Sequence, residues 1–203
     1  MKQVVPGIHQ WSWLSPEKGI DFNGTHVTEG RDSILIDPVA FGDSREGQDG
    51  DESAIRLLGV PHTILITNRH HSRRAAECRD LFGARVLAPE ADAAALPFPA
   101  DGTFAPGERL PGGFVAVTVM DSKSPGETAL HHPGKRLLVL GDALIGKPAG
   151  ELSFLPPAMF ADMAKAMEGV RALLALDFDA LLVGDGTSIL TGGKDAIRRA
   201  LAC

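Results

Sequence analysis

The feature that most constrains this chain is a set of short aliphatic runs that each stop at an acid or a polar cluster. "SILIDP" (residues 33–38), "ILITNRHHSR" (64–73), "LLVLGDALIG" (137–146) and "LLVGDGTS" (181–188) share that form. Apolar runs this short, bounded by turn residues, fit buried strands better than helices. A chain built this way delivers polar side chains to the ends of its strands. Chemistry, if there is any, belongs there.

The rest of the chain supplies partners for these strands. "VVPGIHQWSW" and "NGTHVTEG" predict further strands near the N-terminus, and "FGDSREGQDGDE" (41–52) is a polar, Gly-rich loop before a short helix at Ser53 to Leu58. After "HTILIT" a helix is expected from Ser72 to Phe82, closed by Gly83 as its C-cap. "ARVLAP" is a strand, and "ADAAALP" a helical turn or two stopped by Pro97 and Pro99. "GGFVAVTVM", "ETALHHP" and "KRLLVLGD" predict three strands, the last two forming a hairpin through Pro133 and Gly134. His131 and His132, beside that turn, are expected to be exposed.

Helix is expected over "PAMFADMAKAMEGVRALLAL", with Met159, Met163, Met167, Val170 and Leu174 spaced three or four apart as a core stripe. A strand "DALLVGDG" and a terminal helix "GGKDAIRRALA" follow. Two groups of strands, each followed by helix, imply an α+β fold in which two sheets stack with helices outside. The 203 residues suffice for a single domain, 1–203, with a substantial core.

Composition excludes some functions. A net charge of −6 argues against a general nucleic-acid binder. No apolar run has the length of a membrane span, and no signal pattern opens the chain, so a cytoplasmic protein is expected. Cys78 and Cys203 suggest no disulfide framework. Trp11 and Trp13 share one face of a strand; they cover a core edge or serve self-association, so a homo-oligomer stays open.

Taken in order, the strand ends and the turn "SKSPGETAL" (122–130) resemble the metallo-β-lactamase superfamily over nearly the whole length. The resemblance implies an αββα sandwich with its site along one edge. Active members carry a Thr-His-x-His-x-Asp-His loop, a His-x-x-Gly turn, a Gly-Asp and a final Gly-His-Gly. These hold one or two zinc or iron ions, and bound metal lowers the pKa of its water to roughly 7.

Matched residue by residue, this chain departs from that pattern. Asn68 stands for the first loop histidine, His70 for the second, Ser72 for the acid and Arg73 for the third histidine. Lys123 stands for the turn histidine and Asp185 for the final one; Asp142 is kept. The matched positions thus supply two cations, Arg73 and Lys123, and two anions, Asp142 and Asp185. The preferred expectation is that these four neutralise one another without metal, through charge-assisted hydrogen bonds. No cofactor is then expected, and the pocket residues are Asn68, His70, Ser72, Arg73, Lys123, Asp142 and Asp185. A small anionic ligand suits such a cluster.

The alternative is a hydrolase of ester, thioester or lactone type with a rearranged single zinc, iron or manganese ion on His70, Asp142 and Asp185. His71 is a conceivable fourth ligand, although adjacent residues of an extended segment point to opposite faces, so it is expected to turn away. His70 itself is either a buried, hydrogen-bonded histidine or a pocket residue. Asp37 is a strand-end acid that caps a loop or joins the site; Asp121 is a turn residue, and Glu127 a solvated carboxylate before a strand. Ser72 and Ser124 lie near cationic or imidazole groups, but no Gly-x-Ser-x-Gly elbow accompanies them.

Overall fold

A computed structural model describes residues 1–43 and 50–202; residues 44–49, within the expected polar loop, and Cys203 lie outside the described residues. The first sheet contains β1 (Lys2–Val5), β2 (Ile8–Ser15), β3 (Ile20–Glu29), β4 (Asp32–Ile36), β5 (Thr63–Leu65), β6 (Arg85–Pro89) and β7 (Gly102–Phe104), side by side in that order. Pairing is antiparallel from β1 to β4 and parallel from β4 to β7. The second sheet contains β8 (Arg109–Leu110), β9 (Phe114–Thr118), β10 (Thr128–His132), β11 (Leu137–Leu140) and β12 (Ala180–Val183), ordered β12-β11-β10-β9-β8. There the β11–β12 pair is parallel and the others antiparallel. The helices are α1 (Asp51–Leu58), α2 (Ala75–Phe82), the single-turn α3 (Glu90–Ala93), α4 (Met163–Ala172) and α5 (Gly193–Ala200).

The strand period of two sorts each strand's side chains between layers. In β4, Ile34 and Ile36 join the core between the sheets, with Leu65, Phe114, Leu130 and Leu182. Leu35, between them, faces out and packs with Ile64 and Trp11 against Ile55 and Cys78 of α1 and α2. On the opposite outer face Leu138, Leu140 and Leu181 meet Val170 of α4 and Ile197 of α5. The result is the αββα sandwich. β5 and β11 are buried throughout because both faces are covered, which is why their sequences show no alternation.

Several elements depart from the sequence-based expectation for local reasons. α2 starts at Ala75 rather than Ser72, because Arg69–His71 forms a separate 3-10 turn and Arg73 takes a positive φ of 21°. α4 starts after Asp162, whose carboxylate accepts from the Lys165 N–H at 3.1 Å; Pro157–Met159 forms its own 3-10 turn. That leaves Met159 exposed, while Ala166, Gly169 and Val170 carry the buried face of α4. The hairpin through Pro133 and Gly134 forms as expected, but His131 and His132 are buried rather than exposed. His131 Nε2 lies 2.9 Å from the Asp177 carbonyl, and His132 packs edge-on against Phe114. Among the described residues no helix is long and apolar enough to cross a membrane.

Candidate functional site

Two parallel strand pairs, one in each sheet, set the site. β4 and β5 end in Asp37 and Thr67-Asn68, and β11 and β12 end in Gly141-Asp142 and Gly184-Asp185. Asp37 has a positive φ of 47° and is buried. Its carboxylate accepts from the Thr67 N–H (2.8 Å) and the Thr67 hydroxyl (2.6 Å), and contacts His71 Nδ1 at 2.7 Å. Asn68 caps the 3-10 turn by accepting from the His70 N–H at 2.8 Å, and its amide donates to Glu127 Oε2 at 2.6 Å. His70 and His71 both border one cavity, His70 partly exposed and His71 buried.

His71 is therefore a site residue, which corrects the expectation that it turns away. Its Nε2 lies 3.7 Å from Asp142 Oδ1 and 3.3 Å from the Arg73 guanidinium. Asp142 accepts from Lys123 Nζ at 3.0 Å through its other oxygen. The Arg73 guanidinium donates to the carboxylate of Asp185 and, at 3.2 Å, to the Gly184 carbonyl, and it stacks 4.1 Å over the Phe22 ring. Close approach requires glycine at two of the strand ends. A Cβ on Gly184 would stand 2.3 Å from His71 Cε1, and one on Gly141 2.4 Å from Thr67 Oγ1.

Charges alternate through this cluster. Burial and the Arg73 guanidinium oppose protonation of His71, but the carboxylates of Asp37 and Asp142 outweigh them and push its pKa up to about 10. Asp142 is pulled the other way. Burial would raise it, yet His71 and Lys123 hold its carboxyl well below the usual range. Glu127 is wholly buried, not solvated as its position before a strand suggested; burial and the neighbouring Asp142 push its pKa up to about 8. Near neutral pH His71 is therefore an imidazolium and Asp142 a carboxylate, in a cluster where His71 also meets Asp37, Arg73 meets Asp185 and Lys123 meets Asp142.

The pH dependence of stability follows. Glu127 and His71 have raised pKa values, so each adds stability in acid that is lost as pH rises, over about 4.5–8 for Glu127 and about 6.5–10 for His71. Asp142 acts oppositely, losing its contribution as pH falls below the ordinary carboxylate range. Burial lowers the pKa of His26 to about 4, so its contribution is lost as pH falls below about 6.5. Thermal unfolding is therefore expected to show the highest melting temperature at about pH 6, with a decline towards pH 10. A melting temperature that climbs between pH 6 and 9 would contradict these assignments.

The remaining candidates separate. Ser72 is buried, and its carbonyl accepts the Ala75 N–H at the start of α2. Ser124 donates to Asp92 at 2.6 Å rather than meeting a histidine. Asp92, which no sequence signal singled out, is fully buried and also accepts from the Arg69 N–H (2.8 Å), fastening the turn to the histidine-bearing loop. Asp121 is an exposed turn residue with a φ of 54°. Among the described residues one set of potential metal ligands lies together: His71, Asp142 and Asp185, with ligand atoms within 4.8 Å of one another. His71 takes the place in that set expected for His70.

A two-sheet sandwich with polar strand ends meeting along one edge defines a recognisable class, and comparison with known proteins agrees. The family model for the metallo-beta-lactamase superfamily matches residues 1–203, and the chain belongs to that superfamily. A metallo-beta-lactamase from Erythrobacter litoralis superposes with a TM-score of 0.74 at 17% identity, covering 99% of this chain and 93% of its own; at that identity it speaks for the fold alone. A hydroxyacylglutathione hydrolase of Acidiphilium cryptum is 30% identical over 163 residues, 77% of this chain and 60% of its own. One from Rhodobacter capsulatus is 37% identical over 105 residues, 50% of this chain and 41% of its own. The chain thus spans between two fifths and three fifths of the length of these relatives.

Proposed function

We propose that this protein is a member of the superfamily in which an internal ion-pair network stands in place of the metal centre, and that its cavity binds a small organic anion without hydrolysing it. The observation that carries this reading is the position of Arg73. Its guanidinium bonds Asp185 and lies 3.3 Å from His71 Nε2, so it fills the space between two of the three potential ligands. Lys123 engages the third, Asp142. The donor set as it stands does not fit a resident metal. Each carboxylate already has a cation, and a guanidinium keeps its proton at any working pH. Arg73 is also fixed from several sides. Its positive φ is the kind of local strain, about 1–3 kcal/mol, that persists only where the surroundings impose it.

A second reading keeps hydrolysis. The triad of His71, Asp142 and Asp185 and the hydroxyacylglutathione hydrolases among the relatives favour it. It requires Arg73 to leave the cluster, freeing one imidazole and two carboxylates for a single zinc, iron or manganese ion. The two readings part in an assay with a hydroxyacylglutathione thioester, a lactone and a phosphodiester, each run with and without added zinc. The network reading predicts no turnover above background in either condition. Zinc-dependent turnover that is lost in Asp185→Asn would establish the second reading instead.

A further inference from the structure

We infer that the ligand of this cavity is an amphipathic anion, with one charged head and an apolar tail; the inference rests on the network reading of the same site. The cavity has a volume of about 580 Å³, within the range of about 300–1,000 Å³ typical of small-molecule sites. Two features give it a polarity of its own. Four cations border it, Lys18, Arg73, Lys123 and Lys147, against the two carboxylates of Asp142 and Asp185. Arg73 and Lys123 are spent on those carboxylates, and the buried His71 is balanced by Asp37.

Lys18 pairs with Glu17 at 2.8 Å in an exposed ion pair that costs little to break, and Lys147 is exposed with no salt bridge among the described residues. Lys147, and Lys18 once an anion replaces Glu17 as its partner, can therefore answer a negative head group at the cavity mouth. The rest of the wall is apolar: Ile20 and Phe22 from β3, Ile145 after β11, and Leu155, Pro156 and Met159 from the segment before α4. Met159 is 45% exposed, so part of this apolar wall is open to a bound molecule. A bare inorganic anion would leave this side unused, and a neutral or cationic amphiphile would leave the lysines unanswered.

Isothermal titration with sodium octanoate tests the inference, on a batch whose metal content has first been measured. Octanoate is expected to bind, and more than tenfold tighter than hexanoate. Each methylene buried against this wall contributes about fourfold (about 0.8 kcal/mol). Octan-1-ol and octyltrimethylammonium are expected to bind at least tenfold more weakly than octanoate. The exposed double variant Lys18→Glu/Lys147→Glu should lose at least tenfold for octanoate while keeping the wild-type melting temperature. Absence of octanoate binding, equal affinity for hexanoate or the alcohol, or an unchanged affinity in the double variant would overturn the inference while leaving the metal-free reading intact. Stoichiometric zinc in the same batch would instead overturn the reading beneath it.

Discussion

Asp142→Ala is expected to be the most damaging single substitution in the site, costing about 3–5 kcal/mol, the usual cost of removing one partner from a buried ion pair. Asp142 is buried, approaches the His71 imidazolium with one oxygen and bonds Lys123 with the other. Without it, His71 keeps only Asp37 while still facing Arg73, and Lys123 loses its acceptor. Domains of this kind have total stabilities of about 5–15 kcal/mol, so a large part would go. Urea unfolding checks the magnitude. Combining Asp142→Ala with Lys123→Met should cost less than the two singles added together, because the second change removes a charge that the first left stranded. Additive costs would mean that Lys123 and Asp142 do not act as a pair.

Arg73→Ala is expected to create a metal site. Removing the guanidinium takes one cation from the cluster and opens the space between His71 Nε2 and Asp185, with Asp142 still in reach. One imidazole and two carboxylates then converge with ligand atoms within 4.8 Å. That set suits zinc. The variant alone should be less stable than wild type, since Asp185 loses its partner and Phe22 its stacked cation. Zinc should then restore stability to the variant by about 2.7 kcal/mol at a concentration a hundredfold above the dissociation constant. The same zinc should leave the wild-type melting temperature unchanged. A wild-type protein that responds to zinc as strongly as the variant would show that Arg73 does not block the site.

The fold was legible because its evidence is repeated. Short apolar runs ending in Asp37, Thr67, Asp142 and Asp185 each mark a strand end, and their order implies which ends meet. β7 and β8 were not legible because, unlike the equally short β5, they lie in no aliphatic run. Within the site, Arg73 pairs with Asp185 and Lys123 with Asp142. The roles of the adjacent histidines did not follow. Treating them as extended chain turned His71 away from the site, whereas Arg69–His71 forms a 3-10 turn and both histidines border the cavity. The Asn68 side chain caps that turn.

Glu127 and Asp92 were hidden for a different reason. A buried carboxylate looks like a surface one in sequence, and its partners lie far along the chain: Asn68 and Ala143 for Glu127, Arg69 and Ser124 for Asp92. One signal was available for Asp37. An acid that ends an aliphatic strand just before proline has few reasons to be solvated, and here it anchors both Thr67 and His71.

The most direct test of the ion-pair network is elemental analysis of the wild-type protein, purified without added metal and again after incubation with excess zinc and gel filtration. The network predicts far less than one zinc, iron or manganese ion per chain in both preparations. One tightly held ion per chain, bound through His71, Asp142 and Asp185 with Arg73 displaced into solvent, would contradict it.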